Sequence, residues 1–381
     1  MPPRRAQLQS RFALFALAGI LLAIPTPGAA QSWSPDGARI AIGGPNLTLF
    51  DTYPGGHPAA GAALPQTGPQ NTGPASHPVW SPDGKTIAYL DPAGRVQMFD
   101  VATGKIAPAA EHALRRITWS PDGKSYAVLA TVSGEPDSPV KAFTKYPGGG
   151  TAIDVDLPAH FTPGAPFAPI DWVPSTDNYV IAGGDKGRPD LYLVDQSQLV
   201  QLTTSHDVIG FRVSQDGGQV LWARRSRNAR YIIFSLYSLD IQKRSLIKQD
   251  FPAKLPQVNP DPKSAPSAVL AVVFSPDLKT LCFLALGPSA PGKPDEIKLF
   301  MCDVTGNGVR ALSSALPPNG VPGTVVISDP AVTGTHGYFA MALPAFSPDG
   351  RRLAIPITRN GSNAVVIVDI DTGAVQTVPL P

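Results

Sequence analysis

One five-residue phrase, Trp-Ser-Pro-Asp-Gly, recurs unchanged at Trp33–Gly37, Trp80–Gly84 and Trp119–Gly123. Altered forms follow it along the chain. Phe274–Leu278 and Phe346–Gly350 keep Ser-Pro-Asp behind a Phe, Val213–Gly217 reads Val-Ser-Gln-Asp-Gly, and Trp172–Asp177 reads Trp-Val-Pro-Ser-Thr-Asp. Seven copies across 381 residues define a repeat protein, and the repeat constrains the fold before any other feature does.

The phrase has a local physical meaning. Pro fixes φ at the first central position of a turn, Ser and Asp bond to nearby backbone amides, and Gly takes a conformation other residues resist. Ser-Pro-Asp-Gly is therefore a tight reversal, with one strand ending at the Trp or Phe and the next beginning just after. Recurrence in every repeat marks Asp36, Asp83, Asp122 and Asp349 as turn formers rather than catalytic carboxylates.

Strands are expected after each phrase, as at Thr86–Leu90, Ser125–Thr131, Val220–Ala223, Thr280–Leu284 and Leu353–Pro356. A third strand often ends in Asp, as in Val96–Asp100, Leu191–Asp195 and Val365–Asp369, and a fourth is plausible at Ala152–Leu157 and Val375–Pro379. Helical periodicity is nearly absent outside the N-terminal segment. The reading is all-β: a β-propeller of four antiparallel strands per blade, seven-bladed, with a six-bladed ring plus an N-terminal hairpin as the alternative. The alternative arises because Pro54–His77 offers a poor fourth strand for the first repeat. The broad insertions Phe251–Pro266 and Leu316–His336 read as surface excursions.

Composition agrees. Hydrophobic residues make up 43%, charged residues only 16%, and 36 Gly and 43 Pro suit many short strands joined by tight turns. Arg4, Arg5 and Arg11 precede the apolar stretch Phe12–Ile24, and Gly28-Ala29-Ala30 offers a small-residue cleavage site, so residues 1–30 read as a signal peptide and 31–381 as one propeller domain. A periplasmic or extracellular location is expected, with no membrane span after cleavage. The remaining chain carries 28 basic and 29 acidic residues, and nothing in that balance predicts nucleic-acid binding. Cys282 and Cys302 fall on successive strands of one repeat, at the places of Ala88 and Phe99 in the Thr86–Val101 hairpin; an exported chain permits a disulfide there, and two buried thiols are the alternative.

The pattern Trp-Ser-Pro-Asp-Gly-Lys-x-Ile-Ala-Tyr, with a later strand ending Phe-Asp-Val-x-Thr-Gly at Phe99–Gly104, resembles the TolB-like, WD40-like propeller repeat. The resemblance covers nearly all of residues 31–381. It implies a propeller and a role in protein–protein interaction in the bacterial envelope. No N-terminal α/β domain of the kind TolB itself carries is expected ahead of the propeller. The sequence lacks the hydrolase domain and Gly-x-Ser-x-Gly of the peptidases that share this propeller.

In such a disc the Ser-Pro-Asp-Gly turns occupy one face. The second-to-third loops and the links between blades occupy the other, which becomes the candidate binding face. His77, His112, His160, His206 and His336 all precede a phrase on that face, and His112 and His206 share one offset from the strand end. Converging imidazoles could hold a metal, but no tight ligand spacing supports one, so no metal and no cofactor are expected. Arg224, Arg225, Arg227 and Arg230 lie in the loop of the fifth repeat and could receive a carboxylate, a phosphate or an acidic partner; a solvated hairpin tip is the plainer reading. No phosphate-binding loop and no Cys-x-x-Cys is present, and Ser81–Gly84 fails the sialidase-box spacing. The expectation is a monomeric, non-enzymatic platform for a protein or envelope ligand, with a propeller lyase or hydrolase carrying a His-lined site as the alternative.

Overall fold

The fold is taken from a computed structural model of the chain. It describes residues 31–44, 46–52, 66–69, 75–110, 113–131, 140–147, 150–158, 161–163, 170–185, 188–195, 198–225, 234–241, 245–247, 268–287, 296–305, 308–312, 316, 320–322, 324–327, 338–341, 343–359 and 362–379. Among these there is no helix. Residues 1–30, where a signal peptide is expected, and the insertion Phe251–Pro266 lie outside the described residues.

Among the described residues the strands group into seven antiparallel sheets, each running in chain order from an inner strand outward, plus one short hairpin, Thr324–Ile327 with Tyr338–Met341. The first sheet is Gln31–Trp33, Arg39–Ile42, Thr48–Asp51 and Gln66–Pro69, so the weak first repeat does carry a fourth strand. Seven apolar cores, one between each neighbouring pair of sheets, close the ring. The last of them joins Trp33 and Ile40 of the first sheet to Ala354, Val365 and Ile367 of the seventh. Each sheet is thus buried on both faces, which is why apolar residues outrun simple alternation in these strands.

Every residue of the phrase is used. In Trp33–Gly37 the Ser34 hydroxyl donates to Asp36 Oδ1 at 2.5 Å and accepts the Arg39 amide at 2.8 Å, while Asp36 Oδ1 accepts the Ala38 amide. The same three bonds recur around Ser81, Ser120, Ser214, Ser275 and Ser347. The turn glycines sit at φ of 67° to 72°, the left-handed region. The fourth repeat keeps the reversal with a different turn, placing its positive φ of 63° one residue earlier, on Ser175.

The aromatic and the proline act between sheets. Trp33, Trp119 and Trp172 each donate the indole N–H to a backbone carbonyl of the preceding sheet, at Ala345, Val79 and Thr118. Phe cannot make this bond. Five proline rings, those of Pro35, Pro82, Pro174, Pro276 and Pro348, lie against the turn glycine of the next sheet, so that a Cβ on Gly123 would sit 3.6 Å from Pro82. The contact of Gly37 with Pro348 completes the circle.

One expectation is corrected. The stretch Leu316–His336 is not wholly a surface excursion: Gly320–Pro322 pairs with Ile357–Arg359 as the first piece of the seventh sheet's inner strand, and Ala345–Phe346 is the second piece. The fourth sheet's inner strand is split the same way, into Phe161–Pro163 and Asp171–Trp172. Of the two readings of the cysteines, the strand register supports the buried thiols. Cys302 stands opposite Leu281 and Cys282 opposite Met301, so the two cysteines face opposite sides of one sheet. Cys302 joins the core with the fifth sheet and Cys282 the core with the seventh, both as free thiols.

Candidate functional site

The site is built on the face opposite the Ser-Pro-Asp-Gly turns. There the second-to-third loop of the fourth sheet runs between Tyr179–Asp185 and Asp190–Asp195. The link from the fourth sheet to the fifth, residues 202–207, crosses beside it. Backbone bonds stitch the two together: Leu202 N–H to the Leu191 carbonyl, and Val208 N–H to that of Pro189. The Leu191 amide also donates to Thr203 Oγ1 at 2.9 Å.

Asp190 is the hub. It is 1% exposed, yet both carboxylate oxygens are fully used. Oδ1 accepts from Thr203 Oγ1 and from the His206 amide, both at 2.9 Å. Oδ2 meets His206 Nδ1 at 2.5 Å and Gln201 Nε2 at 3.3 Å. A buried carboxylate survives desolvation when donors surround it in this way. His206 sits at φ of 58°, a conformation that brings both its amide and its ring onto one carboxylate. With Nδ1 committed to Asp190, Nε2 is the ring nitrogen left for anything outside.

His206 and Asp190 line a cleft of about 240 Å³ together with Pro158, Phe161, Gly184, Arg188 and Tyr192. Glycines make the wall possible. The Phe161 ring lies across Gly183, where a Cβ would come within 2.1 Å of it, and a Cβ on Gly184 would come within 2.5 Å of the Arg188 carbonyl. Phe161 meets Tyr192 edge-on, centroids 5.7 Å apart. Burial, and then the charge of Asp190, push the Tyr192 hydroxyl above its usual pKa, so it stays a neutral donor. Arg188 is exposed and forms no ion pair among the described residues.

Of the residues singled out from the sequence, His206 alone falls in this cleft. His112, His160, His336, Arg227 and Arg230 lie outside the described residues, as does the side chain of Arg225. His77 is half-buried in an irregularity of the second sheet's inner strand. Arg224 is engaged, with Nε 3.1 and 3.0 Å from the two oxygens of Asp207. Sequence reasoning missed Arg188, Asp190 and Tyr192. The signal available was the charged run Lys186–Asp190 just before the strand expected at Leu191–Asp195. The described residues contain no group of three metal-ligating side chains. The phrase aspartates hold the turns, as the repeat implies. Asp171 ties the fourth sheet to the fifth by accepting the Val213 amide at 2.8 Å; burial pushes its pKa up against the opposing charge of Arg212.

No protein-family model and no curated protein matches the chain. Solved structures do. An oligogalacturonate lyase in complex with manganese aligns with a TM-score of 0.60 at 13% identity over 92% of both chains. The oligogalacturonate lyase of Vibrio parahaemolyticus aligns at 0.61 and 10% identity, over 91% of this chain and 90% of that one. TolB from Acinetobacter baumannii aligns at 0.44 and 16% identity, over 92% of this chain and 63% of that one. The chain is a β-propeller. At these identities the likeness is one of fold, and function rests on the site.

Proposed function

We propose that this chain is an exported propeller that binds a protein or envelope ligand through the cleft of Arg188, Tyr192 and His206. The observation that carries the reading is convergence. Two loops and a strand bring a cation, a phenol and an imidazole onto one concavity, above a buried carboxylate that fixes the imidazole. Export rests on the basic, apolar and small-residue order of residues 4–30. No helix among the described residues is long and apolar enough to cross a membrane.

The test is a crosslinking pull-down from the native envelope. Capture should be lost with Arg188→Ala and His206→Asn and kept with Lys124→Ala on the turn face. Equal capture by all three variants would refute the cleft as the binding site. A second reading, a propeller enzyme, draws support from the His206–Asp190 pair, which has the arrangement of a general base and its orienting carboxylate. Turnover of an oligogalacturonate by the purified protein, abolished in His206→Asn, would favour it over binding alone.

A further inference from the structure

We infer that the cleft takes a carboxylate monoanion and binds it together with a proton on His206. This rests on the binding reading above and adds the ligand's chemistry to it. The argument is a charge count. Arg188 contributes one positive charge with no ion-pair partner among the described residues, and its guanidinium presents two parallel donors that match a carboxylate. Asp190 contributes one negative charge directly beneath. With a neutral imidazole the two cancel, and a bound monoanion would leave one negative charge uncompensated in a partly desolvated cleft. Protonating His206 restores neutrality.

The geometry says where that proton goes. Nδ1 already serves Asp190, so the added proton sits on Nε2 and becomes a second donor to the ligand. The other groups around the ring do not compete. Tyr192 is held neutral by burial and by Asp190, and Asp207 next in sequence is paired with Arg224. A phosphate dianion would need more donors than Arg188 and one imidazole supply. A carboxylate fits the count. It could belong to an acidic sugar or to a peptide C-terminus, and the two are separable by experiment.

Calorimetry on the full mature chain decides it, with galacturonate and N-acetylalanine as probes and galacturonate methyl ester as the neutral control. Titrations at pH 7.5 in two buffers of different ionisation enthalpy count the protons taken up. The expected result is net proton uptake, at most one per ligand, with affinity rising by up to about tenfold for each pH unit lowered. His206→Asn keeps a donor for Asp190 and should abolish the uptake while weakening binding. Arg188→Ala should lose binding at every pH. Whichever acid probe binds assigns the source of the carboxylate. Carboxylate binding without proton uptake would overturn the coupling. If neither probe binds while envelope capture still depends on Arg188 and His206, the ligand class is wrong and the binding reading stands.

Discussion

Replacing Arg352 by Ala should loosen the ring at one place, the seam between the first and seventh sheets. No strand is exchanged there: the first sheet uses residues 31–69 and the seventh residues 320–379. Closure therefore depends on side chains. The Arg352 guanidinium lies 4.8 Å from the centroid of the Trp33 ring and donates to the Gly37 carbonyl at 2.8 Å. A cation over a partly desolvated indole contributes about 1 kcal/mol. A hydrogen bond from a charged donor contributes about 1.5–3 kcal/mol, although the Gly37 carbonyl keeps the Thr52 hydroxyl at 2.6 Å when Arg352 is truncated. The expected loss is about 2–4 kcal/mol. The seam should hold in part, because Trp33 Nε1 still donates to Ala345 and Gln31 Nε2 to Leu343. Arg352→Lys keeps the charge over the ring without the planar fork and should lose about half as much. The control is Arg351→Ala. That side chain is exposed, and its loss should change stability by no more than about 0.5 kcal/mol. Urea titrations followed by tryptophan fluorescence and by far-ultraviolet circular dichroism measure all three. An Arg352→Ala midpoint indistinguishable from that of Arg351→Ala would refute the account of how the ring closes.

Thiol titration should find Cys282 and Cys302 both reduced and unreactive until the protein is denatured, because burial pushes the Cys302 thiol up to about 12 and that of Cys282 higher still; a mass consistent with a disulfide would contradict the register. Gly183→Ala should destabilise by about 1–3 kcal/mol and displace Phe161, read as a lower unfolding midpoint together with weakened ligand binding. Acid should weaken the turn face. Serine hydroxyls, then backbone amides, hold the carboxyls of Asp36, Asp83 and Asp216 below their ordinary 3.8, and that of Asp122 at about 2. Depressed carboxyls stabilise the fold fully above the unfolded value and lose that contribution as pH falls through the folded one. The unfolding midpoint should therefore drop between about pH 4 and 2, and drop less steeply in a Ser120→Ala, Asp122→Asn double variant.

The sequence by itself determined the fold because the information is local and repeated. Pro, Gly and the Ser–Asp pair specify a reversal within five residues, and a turn that short needs no tertiary context to be legible. The aromatic before it marks where one strand ends. What the sequence could not give was the indole N–H reaching the neighbouring sheet, or the proline resting on the next turn, since both are contacts between repeats. The cleft was less legible still. Asp190 and His206 are sixteen residues apart, on a loop and a link that meet only in the folded ring. His206 could be flagged for its place in the repeat; Asp190 stood just before the strand expected at Leu191–Asp195 and carried no signal of its own. The cysteines mark the limit most plainly. Placing them on adjacent strands was correct, but side chains alternate faces residue by residue, so a register offset of one decided that Cys282 and Cys302 lie in different cores. Turn chemistry is written in neighbours along the chain. Which loops meet, and which face a side chain takes, is settled only when the sheets pair and the ring closes.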